Sequence, residues 1–262
     1  MDMSDKIALV TGGGKRLGAK IASALGADGW HVVIHYNRSG TEARAVEAAI
    51  REAGGSAETV QFDMADTAGV RDFMDRVGRV DALINSASIF EMDRPEDVDA
   101  ATLEHTLSIN LVAPVVLASA MAQAHTERAS GCIINILDQK LFNLNPDFFS
   151  YTLAKSGLLS ATTTMAMALA PRVRVNGIAP GITLPSGGQS QAEFERAHRM
   201  NPMQGGSTPD DIIRTVRFIL ATPSMTGETI IVDGGQHFDA RDGDVMYAAG
   251  IPEDRIPEDE SK

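Results

Sequence analysis

Cysteine is almost absent: Cys132 stands alone, so no intrachain disulfide can form. It lies in the apolar run from Cys132 to Leu137, with no histidine or acid beside it to activate it, and reads as a buried core thiol. Positive charge is also scarce. The 23 Lys and Arg face 35 Asp and Glu, a net charge of −12, which argues against nucleic acid or an anionic membrane as a partner through bulk charge. A local basic pocket for one phosphate is still compatible with that balance. Long hydrophobic runs are missing as well, with nothing approaching the roughly 20 consecutive apolar residues needed to span a bilayer. The first six residues, Met1 to Lys6, lack the basic region of a secretion signal. The expected address is the cytoplasm, and no metal site is read.

What the chain does have is alternation of strand and helix. Strand candidates run from Lys6 to Thr11, His31 to Tyr36, Thr59 to Asp63, Ala82 to Asn85, Cys132 to Leu137, Val173 to Ile178 and Thr229 to Asp233. Helical stretches separate most of them, among them Leu17 to Asp28 and Thr41 to Ala53. Continuously apolar strands joined by helices predict an α/β fold, a doubly wound parallel sheet of about seven strands with helices on both faces. Neither repeats nor an interdomain linker appear, so residues 1–240 read as one domain. Residues 241–262 read as an acidic, solvated extension.

Two helices, Ala101 to Ala124 and Ser156 to Ala170, are dense in Ala, Ser, Thr and Gly. They suit either a close subunit interface or ordinary packing on a sheet. The stretch 182–208 interrupts the pattern with Gly, Ser and Pro around a short amphipathic piece, Gln191 to Met200, and its length suggests a substrate lid.

Thr11-Gly-Gly-Gly-Lys-Arg-Leu-Gly18 closes the first strand and opens the first helix. Glycines there let the backbone approach a pyrophosphate, which sits on the helix N-terminus. A site for the unphosphorylated dinucleotide would place an acid at the end of the second strand. This chain instead has His35-Tyr36-Asn37-Arg38-Ser39, where Arg38 can fork onto a 2′-phosphate and Ser39 can donate to it. NADP(H) is therefore the expected cofactor. Asp63, with Met64 after it, is placed either to accept from the adenine amino group or to cap a helix.

Tyr151 and Lys155 are four residues apart, so on a helix their tips share one face. A lysine beside a phenol favours the phenolate and makes the tyrosine a usable proton donor. The expected third partner is a serine hydroxyl that donates to a carbonyl under reduction. The residue present is Asp138. An ionised carboxylate has no proton to donate and repels a developing oxyanion, so either the site is broken or its substrate is not an ordinary ketone.

Together the glycine turn, Asn85-Ser86-Ala87-Ser88, Asn110, Tyr151-x-x-x-Lys155, Asn176-Gly-Ile-Ala-Pro-Gly181 and Val232-Asp-Gly-Gly235 resemble the short-chain dehydrogenase/reductase family, over about Lys6 to Gly235. The resemblance implies a Rossmann fold, NAD(P)-dependent hydride transfer and a homotetramer. Three departures, Arg16 for a glycine, Ser88 for a glycine and Asp138 for the serine, resemble the pteridine reductase branch, as do the segment from His35 to Ser39 and Tyr151-Thr-Leu-Ala-Lys155. In that branch the position of Phe90 stacks a pterin against the nicotinamide.

The resemblance implies a catalytic set of Asp138, Tyr151, Lys155 and Asn110, with Asn110 supporting the lysine through water. It assigns the cofactor to Gly12, Lys15, Arg16, Leu17, the segment from His35 to Ser39, Asp63, Met64, Asn85, Ser86, Ala87, Ser88, Lys155, Pro180, Gly181, Ile182 and Thr183. Substrate would meet Arg16, Ser88, Phe90, Asp138, Tyr151, Leu184 and Phe194, with Met200 and Met203 as further lid residues. Reducing a C=N bond puts hydride on carbon and a proton on nitrogen, so no oxyanion forms and the objection to Asp138 weakens. The alternatives are a generic NADP-dependent carbonyl reductase, such as a 3-oxoacyl reductase or sugar-alcohol dehydrogenase, and a non-catalytic NADP-binding regulator.

Overall fold

The computed structural model describes residues 6–126, 131–186 and 189–248. Seven strands form one parallel sheet: β1 (Ile7–Val10), β2 (His31–Tyr36), β3 (Ser56–Gln61), β4 (Ala82–Asn85), β5 (Gly131–Ile136), β6 (Val173–Pro180) and β7 (Thr229–Val232). Their spatial order is 3-2-1-4-5-6-7. Side chains alternate across each strand, so Ala8 and Val10 enter one core while Leu9 enters the other. On the first face the sheet packs under α1 (Arg16–Ala27), α2 (Gly40–Glu52) and α8 (Pro209–Ala221). The second face is covered by α3 (Val70–Val77), α5 (Ala113–Ala124) and α6 (Phe149–Leu169). Strand order reverses between β1 and β4, and ligands of open α/β sheets sit beyond the strand ends at such a switch.

Several elements begin where local chemistry requires. Asp99 accepts the Thr102 N–H at 3.0 Å to cap α4 (Ala100–Leu107). Ser190 and Glu193 form a capping box that starts α7 (Gln191–Arg199) in the lid. Thr208 and Asp211 form a second box, with Pro209 in the first turn of α8.

Three expectations are corrected. The helix expected from Ala101 to Ala124 is interrupted by a π-helical turn, Ser108–Val112, between α4 and α5. Taken as one stretch, Ala100–Ala124 is also long and apolar enough to cross a bilayer by length and composition, with mean hydropathy 1.6. Its inner residues, including Ala113, Leu117 and Met121, are packed into the second core, as in the core helix of a globular fold. The helix expected from Ser156 starts earlier, at Phe149, so Tyr151 lies in its first turn. Finally, the chain after β7 does not leave the body at 241. It passes through a 3-10 turn, Gln236–Phe238, and a short helix, α9 (Val245–Ala248), which packs beside α7. The acidic stretch from Ala249 to Lys262 lies outside the described residues.

Candidate active site

A cleft of about 970 Å³ opens at the C-terminal ends of the strands, large enough for a dinucleotide with a small second ligand. Its floor is the glycine turn. Gly12 has φ +63°, and a Cβ there would lie 2.9 Å from Ala87 Cα. A Cβ on Gly18 would come within 2.2 Å of the Gly12 carbonyl oxygen. The backbone is thus bare where a pyrophosphate must approach the start of α1. Thr11 Oγ1 accepts from the N–H groups of Ser86 and Ala87, both at 3.0 Å, and clasps the β4 loop to the turn. Lys15, Leu17, Ser86, Ala87 and Ser88 all line the cleft.

Arg16 occupies a left-handed conformation at φ +50°, the strained region that makes glycine usual at such a turn. Its guanidinium crosses the cleft mouth and donates to the Pro185 carbonyl at 2.7 Å, joining the glycine turn to the lid. The 2′-phosphate end fits NADP: Arg38 is exposed at the end of β2, and Ser39 starts α2 without a side-chain cap bond. Tyr36, Asn37, Asp63 and Met64 line the same end. Asp63 also serves its own turn, accepting the Ala65 N–H at 2.9 Å.

His35 borders the cleft and also carries part of its wall. Its ring is buried, accepts the Gly12 N–H at Nδ1 (3.1 Å) and lies 2.9 Å from the Phe62 carbonyl at Nε2. Burial lowers its pKa to about 4, so the ring is neutral and its one proton points at Phe62. It is the post that holds the glycine turn, with both nitrogens committed to backbone.

The reacting end gathers Asp138, Tyr151, Phe90 and Ser88. Tyr151 donates to Asp138 Oδ2 at 2.9 Å, while Asp138 Oδ1 accepts the Lys140 N–H at 2.8 Å. Burial pushes the Asp138 carboxyl above the usual carboxylate range. The Tyr151 phenol is pushed up too, first by burial and then by the Asp138 carboxylate. The sequence predicted the opposite for Tyr151. Lys155 was to lower it, but its ammonium donates to the Ile136 carbonyl at 2.7 Å and lies 5.6 Å from the tyrosine ring centre. Burial brings Lys155 itself down to about 8.

Phe90 is stacked on Phe148 at 3.8 Å between ring centres and meets Tyr151 edge-on at 4.7 Å. Phe148 is fully buried with φ +54°, an unfavourable conformation held by the packing around it. One face of Phe90 is therefore braced while the residue borders the cleft.

Some expected site residues stand back from the cleft. Asn110 lies in the π-helical turn, its carboxamide accepting from Ile89 N (2.9 Å) and donating to Ile89 O (2.8 Å). It positions the loop leading to Phe90, and no direct bond joins it to Lys155. Asn85 donates to Asn135 Oδ1 at 2.8 Å, and Asn135 donates to Thr162 at 2.9 Å, so this buried amide chain ties the sheet to α6. Lys155 is buried behind Tyr151. Phe194 packs on His198 within α7 and does not border the cleft, nor do Met200 and Met203, the latter 75% exposed. Pro180 and Gly181 at the end of β6 border the cleft, and the lid reaches it through Ile182, Thr183, Leu184 and Ser186, with Thr183 bonded to Gly181 O and to Ser207. Residues not singled out from sequence also border it, notably Gln139, Gln189, Asp244 and Val245. Their only sequence signal was proximity of Gln139 to Asp138.

The sequence pattern described as short chain dehydrogenase matches residues 6–196. Among solved structures, the chain is similar to FolM alternative dihydrofolate reductase 1 from Brucella canis, complexed with NADP. The TM-score is 0.86 and the identity 42%, covering 92% of this chain and 97% of that one. It is 32% identical over 241 residues to a 3-oxoacyl-[acyl-carrier-protein] reductase from Synechocystis, covering 89% of this chain and 97% of that protein. It is 30% identical to pteridine reductase 1 from Leishmania tarentolae, covering 87% and 95% of the two chains.

Proposed function

The chain belongs to the short-chain dehydrogenase family and is an NADP(H)-dependent oxidoreductase, and from that premise we propose that it reduces C=N bonds of pterin-type substrates. The observation that carries this reading is the 2.9 Å bond between Tyr151 and Asp138. A carbonyl reductase needs donors around the oxygen that gains charge. Here the position beside the tyrosine is an acceptor in its ionised form. A pterin offers ring and amino N–H groups for a carboxylate and a flat ring for Phe90.

When bound, NADPH supplies the hydride for the carbon of the C=N bond. The chain supplies everything else. Phe90, braced by Phe148, sets the plane of the ring. Tyr151 gives its phenolic proton to the substrate nitrogen, so the C=N becomes CH–NH with charge conserved. Asp138 holds that proton in place beforehand, and afterwards the phenolate is reprotonated from solvent through the cleft, with Asp138 again accepting from it. Lys155 is held on the Ile136 carbonyl behind the ring, its ammonium 5.6 Å from the ring centre. Arg16 and Ser88 offer donors to the substrate's acceptor edge.

The similarity to an alternative dihydrofolate reductase and to a pteridine reductase supports this reading, and a 3-oxoacyl relative supports the competing one. In this proposal the enzyme works in the cytoplasm as a homotetramer. The test is NADPH oxidation with dihydropterins and dihydrofolate beside 3-oxoacyl thioesters and simple ketones. The expected result is turnover of the dihydropterins that disappears in Tyr151→Phe. Preferred turnover of the thioesters would assign the site to carbonyl reduction.

A further inference from the structure

The segment after β7 brings a second carboxylate to the reacting end. Asn143 Nδ2 donates to the Asp239 carbonyl at 2.7 Å, fastening the start of the segment. Further on, the Asp244 N–H donates to Asp147 Oδ2 at 2.8 Å, and Asp147 Oδ1 accepts from Arg94 at 2.9 Å. Lys140, 3% exposed, places its ammonium 3.5 Å from Asp244 Oδ2 and also donates to Asn145. Tyr247 packs into the cluster of Phe90, Met92, Phe148 and Tyr151. Asp244 and Val245 then border the cleft together with Asp138 and Gln139.

We propose that Asp244 is a positioning residue for proton delivery: anchored by Lys140 and Asp147, its carboxylate faces the Asp138–Tyr151 pair and keeps the transferable proton within that pair. Lys140 makes the arrangement specific, because its backbone N–H holds Asp138 while its ammonium holds Asp244. The charges facing the pair are Lys155 from α6, Lys140 from the turn after β5 and Asp244 from the C-terminal segment. Arg16 and Glu91 border the same cleft, while Asp93 is bonded to Ser150 and Arg94 to Asp147 behind it. Beyond burial and their mutual bond, the negative charge of Asp244 pushes both Asp138 and Tyr151 upward, whereas Lys140 opposes it at Asp138. Proton retention therefore depends on a residue far along the chain from the catalytic motif. The inference goes beyond the pterin reading, since it concerns the proton donor whatever the substrate.

The test uses the full chain with Asp244→Asn, Asp244→Ser and Asp244→Glu. The anchor to Asp147 is the backbone N–H, so replacing the carboxylate leaves the segment attached. Ionisation of Tyr151 is followed by ultraviolet difference titration of the NADP⁺ complex, with Tyr151→Phe as the blank. This readout needs no substrate and stands even if dihydropterins are not turned over. The pH profile of kcat is measured in parallel with whichever substrate the wild type reduces. Both uncharged variants are expected to lower the tyrosine midpoint and the alkaline limb by at least ~0.5 pH unit, from removal of one nearby charge. Asp244→Glu is expected to restore them. Midpoints unchanged in a folded Asp244→Asn, or in Asp244→Ser should the first not fold, would overturn the proposal whatever happens to KM.

Discussion

Acid should weaken this enzyme through His35. The buried ring has a pKa of about 4, against 6.5 in the unfolded chain. Between those values the unfolded state binds a proton that the native state refuses, so stability is complete above pH 6.5 and falls as the pH drops toward 4. At 1.36 kcal/mol per pH unit, moving from pH 7 to pH 4.5 should remove roughly 2–3 kcal/mol through this residue. Protonation also takes away the acceptor for the Gly12 N–H, so NADPH affinity should fall over the same range. His35→Gln isolates the effect from the titrating carboxylates. It should be less stable than wild type at pH 7, and the gap should close by roughly 2–3 kcal/mol at pH 4.5 in urea unfolding. A gap that stays constant across that range would refute the assignment of a neutral, structural His35.

Other perturbations follow from the same geometry. Arg38→Ala should weaken NADPH binding by about 10–100-fold while leaving NADH unchanged, as expected for one lost charge-assisted phosphate contact, measured by fluorescence titration. Gly12→Ala adds a side chain at φ +63° and 2.9 Å from Ala87 Cα; it should cost at least ~1–2 kcal/mol of stability and most cofactor binding, read by thermal unfolding with and without NADPH. Phe90→Ala should raise KM for a dihydropterin by about 10–100-fold through lost stacking, with a much smaller effect on NADPH affinity.

Much of the scaffold is legible in local sequence because each signal acts over a few residues. The apolar strands and the glycine turn specify themselves by period and φ. Tyr151 and Lys155 share a face simply because they lie four apart on a helix. The parts that were not legible depend on partners distant in the chain. The second role of His35, holding the glycine turn, depends on the Gly12 and Phe62 backbones that occupy both its nitrogens. Asn110 and the π-helical turn explain each other only once Ile89 is beside them. Tyr151 was expected to be acidified by Lys155, yet Asp138 captures its hydroxyl and the Ile136 carbonyl captures the lysine. Asp244 has no motif at all; it reaches the site because Lys140, Asp147 and Tyr247 hold the segment down.

The central claim is that Asp138 marks a site for protonating nitrogen rather than stabilising an oxyanion. The direct measurement is kcat/KM of wild type and Asp138→Ser for a dihydropterin and a 3-oxoacyl thioester, at saturating NADPH. Loss of a positioned acid–base group is expected to lower dihydropterin reduction by about 10²-fold or more, while thioester reduction holds or improves. Dihydropterin reduction left intact in Asp138→Ser, with thioester reduction gained, would contradict the account.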